Sequence, residues 1–279
     1  MADALSIHCM QGRLVPPEAG RFQTFPVHGW RREIELASAA GVDGIEWIYD
    51  EHGADANPLA RDDGVAEMRR LCAAHDVRVE SLCADWFIDS PLLHSERDER
   101  RARVRWVHTR ARAAGIRRIV IPFVDASALQ CADDVNALVE VLVELLPELG
   151  VELHLETDLA PDDFAALLSR VDHPLVKANY DTGNSASLGY DPRDEVGAYG
   201  ARIGSVHVKD RIVGGGTVPL GTGSADLELV FALLQERGWS RPLVLQVARG
   251  EEGCEVETVR SAAGRVRELW AASRSRVWS

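Results

Sequence analysis

Residues 151–158 read Val-Glu-Leu-His-Leu-Glu-Thr-Asp, residues 176–184 read Val-Lys-Ala-Asn-Tyr-Asp-Thr-Gly-Asn, and residues 204–211 read Gly-Ser-Val-His-Val-Lys-Asp-Arg. Each is a short apolar run that ends abruptly in polar and ionisable side chains. A longer stretch with helical spacing of its apolar residues separates one from the next. That alternation continues outward in both directions. Candidate strands lie at 5–10, 44–48, 77–83, 118–123, 151–156, 176–180, 204–208 and 243–247, and candidate helices at 30–40, 64–74, 95–114, 135–149, 161–171, 192–199, 227–237 and 255–273. The strands are rich in Val, Ile and Leu with little alternation, the pattern of a parallel sheet covered on both faces. Helix ends are marked: Asp162 and Asp163 follow Pro161 at one start, and Gly41, Gly115, Gly150 and Gly238 follow four ends.

Eight strand–helix units in 279 residues predict a closed (β/α)8 barrel, which typically needs about 250 residues, as one domain over 1–279. An open doubly wound sheet would often carry a GxGxxG turn after its first strand, and MQGRLVPP (10–17) is not one. With 31 basic against 44 acidic residues the formal charge is −13, which excludes a general affinity for nucleic acid or anionic membranes. The basic run Arg100, Arg101, Arg103 and Arg105 follows Glu96, Asp98 and Glu99, so it reads as a solvated helix face or a contact between copies in a homo-oligomer. Five scattered cysteines (Cys9, Cys72, Cys83, Cys131, Cys254) form no disulfide framework or CxxC zinc pair and point to a reducing cytoplasm. The N-terminal MADALSIHCMQGR has no signal-peptide pattern, and no apolar run approaches the roughly 18 residues of a membrane span.

In an α/β barrel the active site is built where the strands end at their C-terminal edge. Glu156, Asp181, His207 and Gln246 stand at the ends of four consecutive strands. Two carboxylates, an imidazole and an amide oxygen form a donor set suited to one divalent ion: Mn, Mg, Co or Zn. Lys209 lies two residues beyond His207, on the same side of the strand, where it could bind a substrate oxygen or polarise a carbonyl. Asp210 beside it, Glu46 near the end of strand 2 and Arg249 after strand 8 are candidate substrate contacts. Trp47, Trp86 and Phe87 could wall the pocket, and His8 reads as a core histidine. Gly214-Gly215-Gly216 is a weak candidate for a phosphate-binding loop, since glycine runs are more often flexible lids.

The segments GVDGIEWIYD (41–50), HLETD (154–158), YDTGN (180–184) and SVHVKDR (205–211) resemble the xylose-isomerase-like sugar-phosphate isomerase/epimerase barrels, and the likeness runs from MQGRL (10–14) to the eighth strand. The resemblance implies a metal held by Glu156, Asp181 and His207, with a second Glu usual on strand 8. Here Gln246 stands in that place. An amide can ligate a metal but cannot be a general base, so the two-glutamate epimerisation that the family implies lacks one partner. Glu156, which follows an apolar run, is the first choice for the base, with Lys209 as a second catalytic group. The expected activity is metal-dependent isomerisation or epimerisation of a sugar, sugar phosphate or related keto-polyol through an enediolate. The alternatives are dehydration of a keto-polyol, for which one base suffices to start an elimination, and a non-catalytic metal-binding barrel.

Overall fold

The computed structural model describes residues 5–277, so the outermost positions of the domain expected over 1–279 lie outside the described residues. Eight parallel strands close into a barrel, as expected. Seven follow one another around the wall: β1 (Ile7–Met10), β2 (Gly44–Ile48), β3 (Ser81–Cys83), β4 (Arg118–Phe123), β5 (Glu152–Thr157), β6 (Val176–Asp181) and β7 (Ile203–Val208). A two-stranded antiparallel flap, β8 (Asp210–Arg211) with β9 (Thr217–Val218), rises from the end of β7, and β10 (Leu243–Leu245) then closes the ring between β7 and β1.

The strand runs lack alternation because both faces are covered: every residue of β1, β2, β4 and β7 is buried. Outside the barrel pack α1 (Trp30–Ala37), α2 (Asp62–Ala74), the single turn α3 (Trp86–Asp89), α4 (Arg97–Ala114), α5 (Ala132–Leu145), α6 (Pro161–Arg170), α7 (Thr182–Leu188), α8 (Pro192–Tyr199), α9 (Leu227–Glu236) and α10 (Glu255–Val277). Trp47 and Phe87, expected to wall the pocket, are instead wholly buried core residues. His8 is a core histidine too. It shares a layer with His154, where large meets small: a Cβ on Gly44 would come 2.7 Å from His8 Nε2, and one on Gly204 2.6 Å from His154 Nε2. Burial pushes both imidazoles down to about 4, so they are neutral at neutral pH.

Two departures from the sequence reading matter for function. First, the chain between β6 and β7 forms two helices where one was expected. The Asp181 carboxylate accepts from the backbone N–H of Gly183 and Asn184, which caps α7, and Gly189 ends it in a left-handed turn at φ 77°. The residues Thr-Gly-Asn-Ser-Ala-Ser of α7 are all buried and show no apolar stripe, so helical periodicity could not reveal it. Second, the partly exposed basic run on α4 also makes contacts within the chain: Arg100 donates to the carbonyls of Ser95 and Leu93, and Arg103 to that of Ser90. Arg97 and Arg101 pair with Glu144 on α5, Arg105 with Glu148 just beyond it, and Arg110 with Asp62 on α2.

Candidate metal centre

The pairing of β6 with β7 sets Asp181 directly beside His207. Glu156 reaches the same point from β5. The three buried residues each offer a ligand atom, and these atoms lie within 4.8 Å of one another. His207 Nδ1 is 3.4 Å from Glu156 Oε2 and 3.8 Å from Asp181 Oδ2. Its other nitrogen, Nε2, is 2.6 Å from Glu46 Oε1 at a contact closed to solvent. A carboxylate behind the imidazole fixes the ring and turns Nδ1 toward the two carboxylates, where it also lies 3.1 Å from Asn179 Nδ2. Burial alone would raise the Glu46 carboxyl, but the His207 imidazole facing it holds it below its usual range. Burial likewise opposes charge on His207, and Glu46 and Glu156 together override that and push its imidazole well above its usual value.

The remaining bonds hold these ligands in place. Asn179, two residues before Asp181 and on the same side of β6, donates through Nδ2 to Glu156 Oε2 at 2.9 Å. Asn184, in the first turn of α7, donates to Glu156 Oε1 at 2.7 Å. Behind Asn179 a polar column descends through the barrel: Ser205 Oγ donates to Asn179 Oδ1 at 2.6 Å, His154 Nδ1 lies 2.7 Å from Ser205, and His154 Nε2 lies 3.0 Å from Glu152. Glu152 is in turn paired with Arg241. Glu195 anchors α7 from outside by accepting hydroxyls from Tyr180, Ser185 and Tyr199 at 2.9, 2.6 and 3.0 Å.

Lys209 lies at the same mouth. Its Nζ is 2.9 Å from Asp181 Oδ2 and donates to Gln246 Oε1 at 3.0 Å. The approach to Asp181 is an ion pair without hydrogen-bond geometry, and Oδ2 is left buried with no donor. A buried carboxylate oxygen without a donor, facing a second carboxylate and an imidazole nitrogen, fits a divalent cation. Glu156, Asp181 and His207 thus come together as expected. Gln246 differs: its oxygen is turned to Lys209, and its Nε2 donates to Gln23 Oε1 at 3.0 Å.

The three candidate substrate contacts fall elsewhere. Glu46 has no exposed surface and serves His207. Asp210 is wholly buried and staples the flap, accepting the backbone N–H of Gly221, Gly223 and Ala225. Arg249 donates to the carbonyls of Phe22 and Val15 and borders a neighbouring cavity with Arg13. Glu46 is the middle residue of β2, Asp210 follows β7 and Arg249 follows β10, and position along a strand does not tell which way a side chain turns.

The cavity above the ligands, about 280 Å³, is lined from strand ends and from the loop after β1. Asp85, Gln23, Asp125 and Arg21 line it and were missed by the sequence reading. Burial pushes the Asp85 carboxyl up to about 6, against the pull of Gln23 Nε2, which donates to it at 2.8 Å. The position of Asp85, two residues beyond β3, is the one signal that could have found it.

A closed α/β barrel with a carboxylate–carboxylate–imidazole cluster at the C-terminal mouth of β5, β6 and β7 has the form of an α/β-barrel enzyme with a candidate metal site. The particular family follows from comparison: residues 34–269 match the model of the xylose isomerase-like TIM barrel, and the chain belongs to that family. An L-ribulose-5-phosphate 3-epimerase, UlaE of Salmonella paratyphi C, is 30% identical over 237 residues, which span 78% of this chain and 82% of that one. Among solved structures, an L-ribulose 3-epimerase superposes with a TM-score of 0.76 at 15% identity, covering 98% of this chain and 96% of that one. The IOLI protein with a bound zinc atom superposes with a TM-score of 0.70 at 16% identity, covering 99% and 100%. At these identities the structural likeness speaks for the fold. No helix among the described residues is long and apolar enough to cross a membrane.

Proposed function

We propose that the chain is a metal-dependent isomerase or epimerase of a keto sugar or related polyol, with Glu156 as the proton-transferring base. The observation that carries this reading is the convergence of Glu156, Asp181 and His207 on one point, beside a polar cavity that Glu156 and Lys209 line. Kinship with sugar epimerases supports it. One divalent ion, held by Glu156, Asp181 and His207, would act as a Lewis acid on the substrate carbonyl and make its α-proton removable. Mn, Mg, Co and Zn all suit the donors.

The residues of the chain account for the rest. Asn179 and Asn184 grip one oxygen each of Glu156, so its carboxylate is fixed before substrate arrives. Its burial keeps competing water from the base. Gln246 cannot return a proton, because an amide has no basic site, and it instead orients the Lys209 ammonium. Lys209 is thereby poised to donate to a substrate oxygen, and it takes the place of the second carboxylate as the partner of Glu156. This arrangement also favours a second reading, dehydration of a keto-polyol, because one base suffices to begin an elimination. Product mass separates the two, since loss of water lowers it and isomerisation does not. Five free cysteines support a reducing, cytoplasmic setting. Exposed Ile212 and Val213 on the flap support association of copies, which light scattering reads.

The test is wash-in of deuterium from D2O into ketoses at the carbon next to the carbonyl. Exchange should require added metal and should fall about 10²–10⁴-fold in Glu156→Gln, the usual span of general acid–base catalysis. Exchange that survives both chelation and that substitution would overturn the reading.

A further inference from the structure

Charge in the cavity speaks to which keto sugar it takes, given the reading just proposed. Five carboxylates line it, from Asp50, Asp85, Asp89, Asp125 and Glu156, against three cations, Arg21, Lys209 and Arg211. Each cation is already engaged. Arg21 Nη1 contacts both oxygens of Asp89, at 2.9 and 3.2 Å. Lys209 stands between Asp181 and Gln246. Arg211 donates from Nε and Nη2 to the Gly215 carbonyl and from Nη1 to Asn184 Oδ1, which ties the flap to α7. Even a divalent ion at the floor, with Asp181 counted below it, leaves this mouth without net positive charge. A phosphate dianion would meet several fixed carboxylates and, with Lys209 assigned to the substrate oxygen at the reacting carbons, no further unengaged cation.

The same lining is rich in acceptors. Asp50 is consumed by the Thr24 hydroxyl and the backbone N–H of Phe25 and Gly53. Asp85 accepts only Gln23 Nε2 and the Cys83 thiol, a weak donor. Asp125 sits at φ 51° in a turn pinned by Ser127, whose hydroxyl donates to Pro122 O and accepts from Val124 N. A side chain pays strain in that left-handed backbone where glycine would not. A carboxylate kept there, at the cavity wall, has the chemistry of a hydroxyl acceptor. We propose that the substrate is an unphosphorylated keto sugar or keto-polyol, with Asp85 and Asp125 accepting its hydroxyl protons. This chain would thus part from relatives whose names specify a 5-phosphate.

The experiment measures kcat/KM for deuterium wash-in with the metal-loaded protein on free ketopentoses and ketohexoses, each beside its terminal phosphate ester, L-ribulose and L-ribulose 5-phosphate among them. A preference of at least tenfold for the free sugar supports the inference, and equal or inverted preference overturns it. In Asp89→Asn, which releases Arg21 and removes one negative charge, the ratio of phosphorylated to free activity should rise at least tenfold, and an unchanged ratio counts against the charge argument. Asp85→Asn and Asp125→Asn should each lower kcat/KM for the free sugar roughly tenfold, the usual worth of a charged hydrogen bond, and full activity in both removes them as acceptors. Exchange on no sugar at all sinks the proton-transfer reading instead. In that case calorimetry with inorganic phosphate still decides this point, since binding below 1 mM overturns it and no binding at about that concentration upholds it.

Discussion

Replacing Glu46 by glutamine isolates the carboxylate behind His207, the imidazole proposed above as a metal ligand. The substitution keeps the volume, and the new amide oxygen can still accept from His207 Nε2, so the ring stays oriented while the charge is lost. In the parent the contact is 2.6 Å between two groups with no solvent exposure, where charge is least screened. Partners of this kind typically contribute 10–100-fold to metal affinity, which is about 1.4–2.7 kcal/mol. The loss should be largest at high pH. At lower pH the parent must expel a proton from His207, which Glu46 and Glu156 hold well above its ordinary range, and each unit then costs the parent up to about tenfold in affinity. Glu46→Gln weakens that hold on the proton, so its affinity starts lower and flattens at a lower pH as the pH is raised. The assay is competition against a chromophoric chelator from pH 6 to 9, with circular dichroism to confirm the fold. Equal affinities throughout that range in a folded variant would refute the assignment of His207 as ligand and Glu46 as its support.

Three further expectations follow from the geometry. Gly183→Ala places a Cβ 2.3 Å from Lys209 Cγ, so it should displace Lys209 and reduce wash-in at least tenfold while leaving the melting temperature within a few degrees; normal activity would place Lys209 outside the chemistry. Glu195→Ala removes the shared acceptor of three buried hydroxyls, of which Tyr180 and Ser185 can still bond each other, and should cost roughly 2–4 kcal/mol in urea unfolding, since each unpaired group costs about 1–3 kcal/mol; a loss under 1 kcal/mol would deny it the anchoring role. His8 is held down to about 4 in the folded chain against about 6.5 when unfolded, so between those values the unfolded state binds the extra proton and acid favours unfolding. His8→Leu removes that term, and its stability relative to the parent should therefore rise as pH falls from 6.5 to 4, by about 1.4 kcal/mol per unit; a flat difference would mean His8 titrates normally.

The barrel was legible because each strand, covered on both faces, must be apolar throughout, and because Gly and acidic residues mark the helix ends. Glu156, Asp181 and His207 were legible for a related reason: a polar residue that closes an apolar run at the C-terminal edge must turn to the mouth or to solvent. What sequence position could not give is direction. Asp210 follows β7 as expected and Glu46 lies in the middle of β2, yet one turns to the backbone of the flap and the other inward to His207. Gln246 was read as a metal ligand, but in the structure its oxygen accepts from the Lys209 ammonium just past the end of the neighbouring β7, and no pattern around β10 encodes that contact. Asn179 was hidden by a similar limit, although its spacing from Asp181 put both on one side of β6. Helix α7 escaped notice because a buried helix of small polar residues has no amphipathic signature.

Asp181 holds two posts at once. One oxygen caps α7 and the other faces the cluster. Alanine scanning of the candidate ligands would therefore mislead at this position: Asp181→Ala also uncaps a seven-residue helix, about 1 kcal/mol by itself, and that helix carries Asn184, which grips Glu156. Its phenotype would mix lost ligation with a slackened base. Asp181→Asn keeps an oxygen for the cap and removes the charge, so it separates the two posts. The same economy means that the ligand is oriented by the folding of its own helix, before any ion arrives.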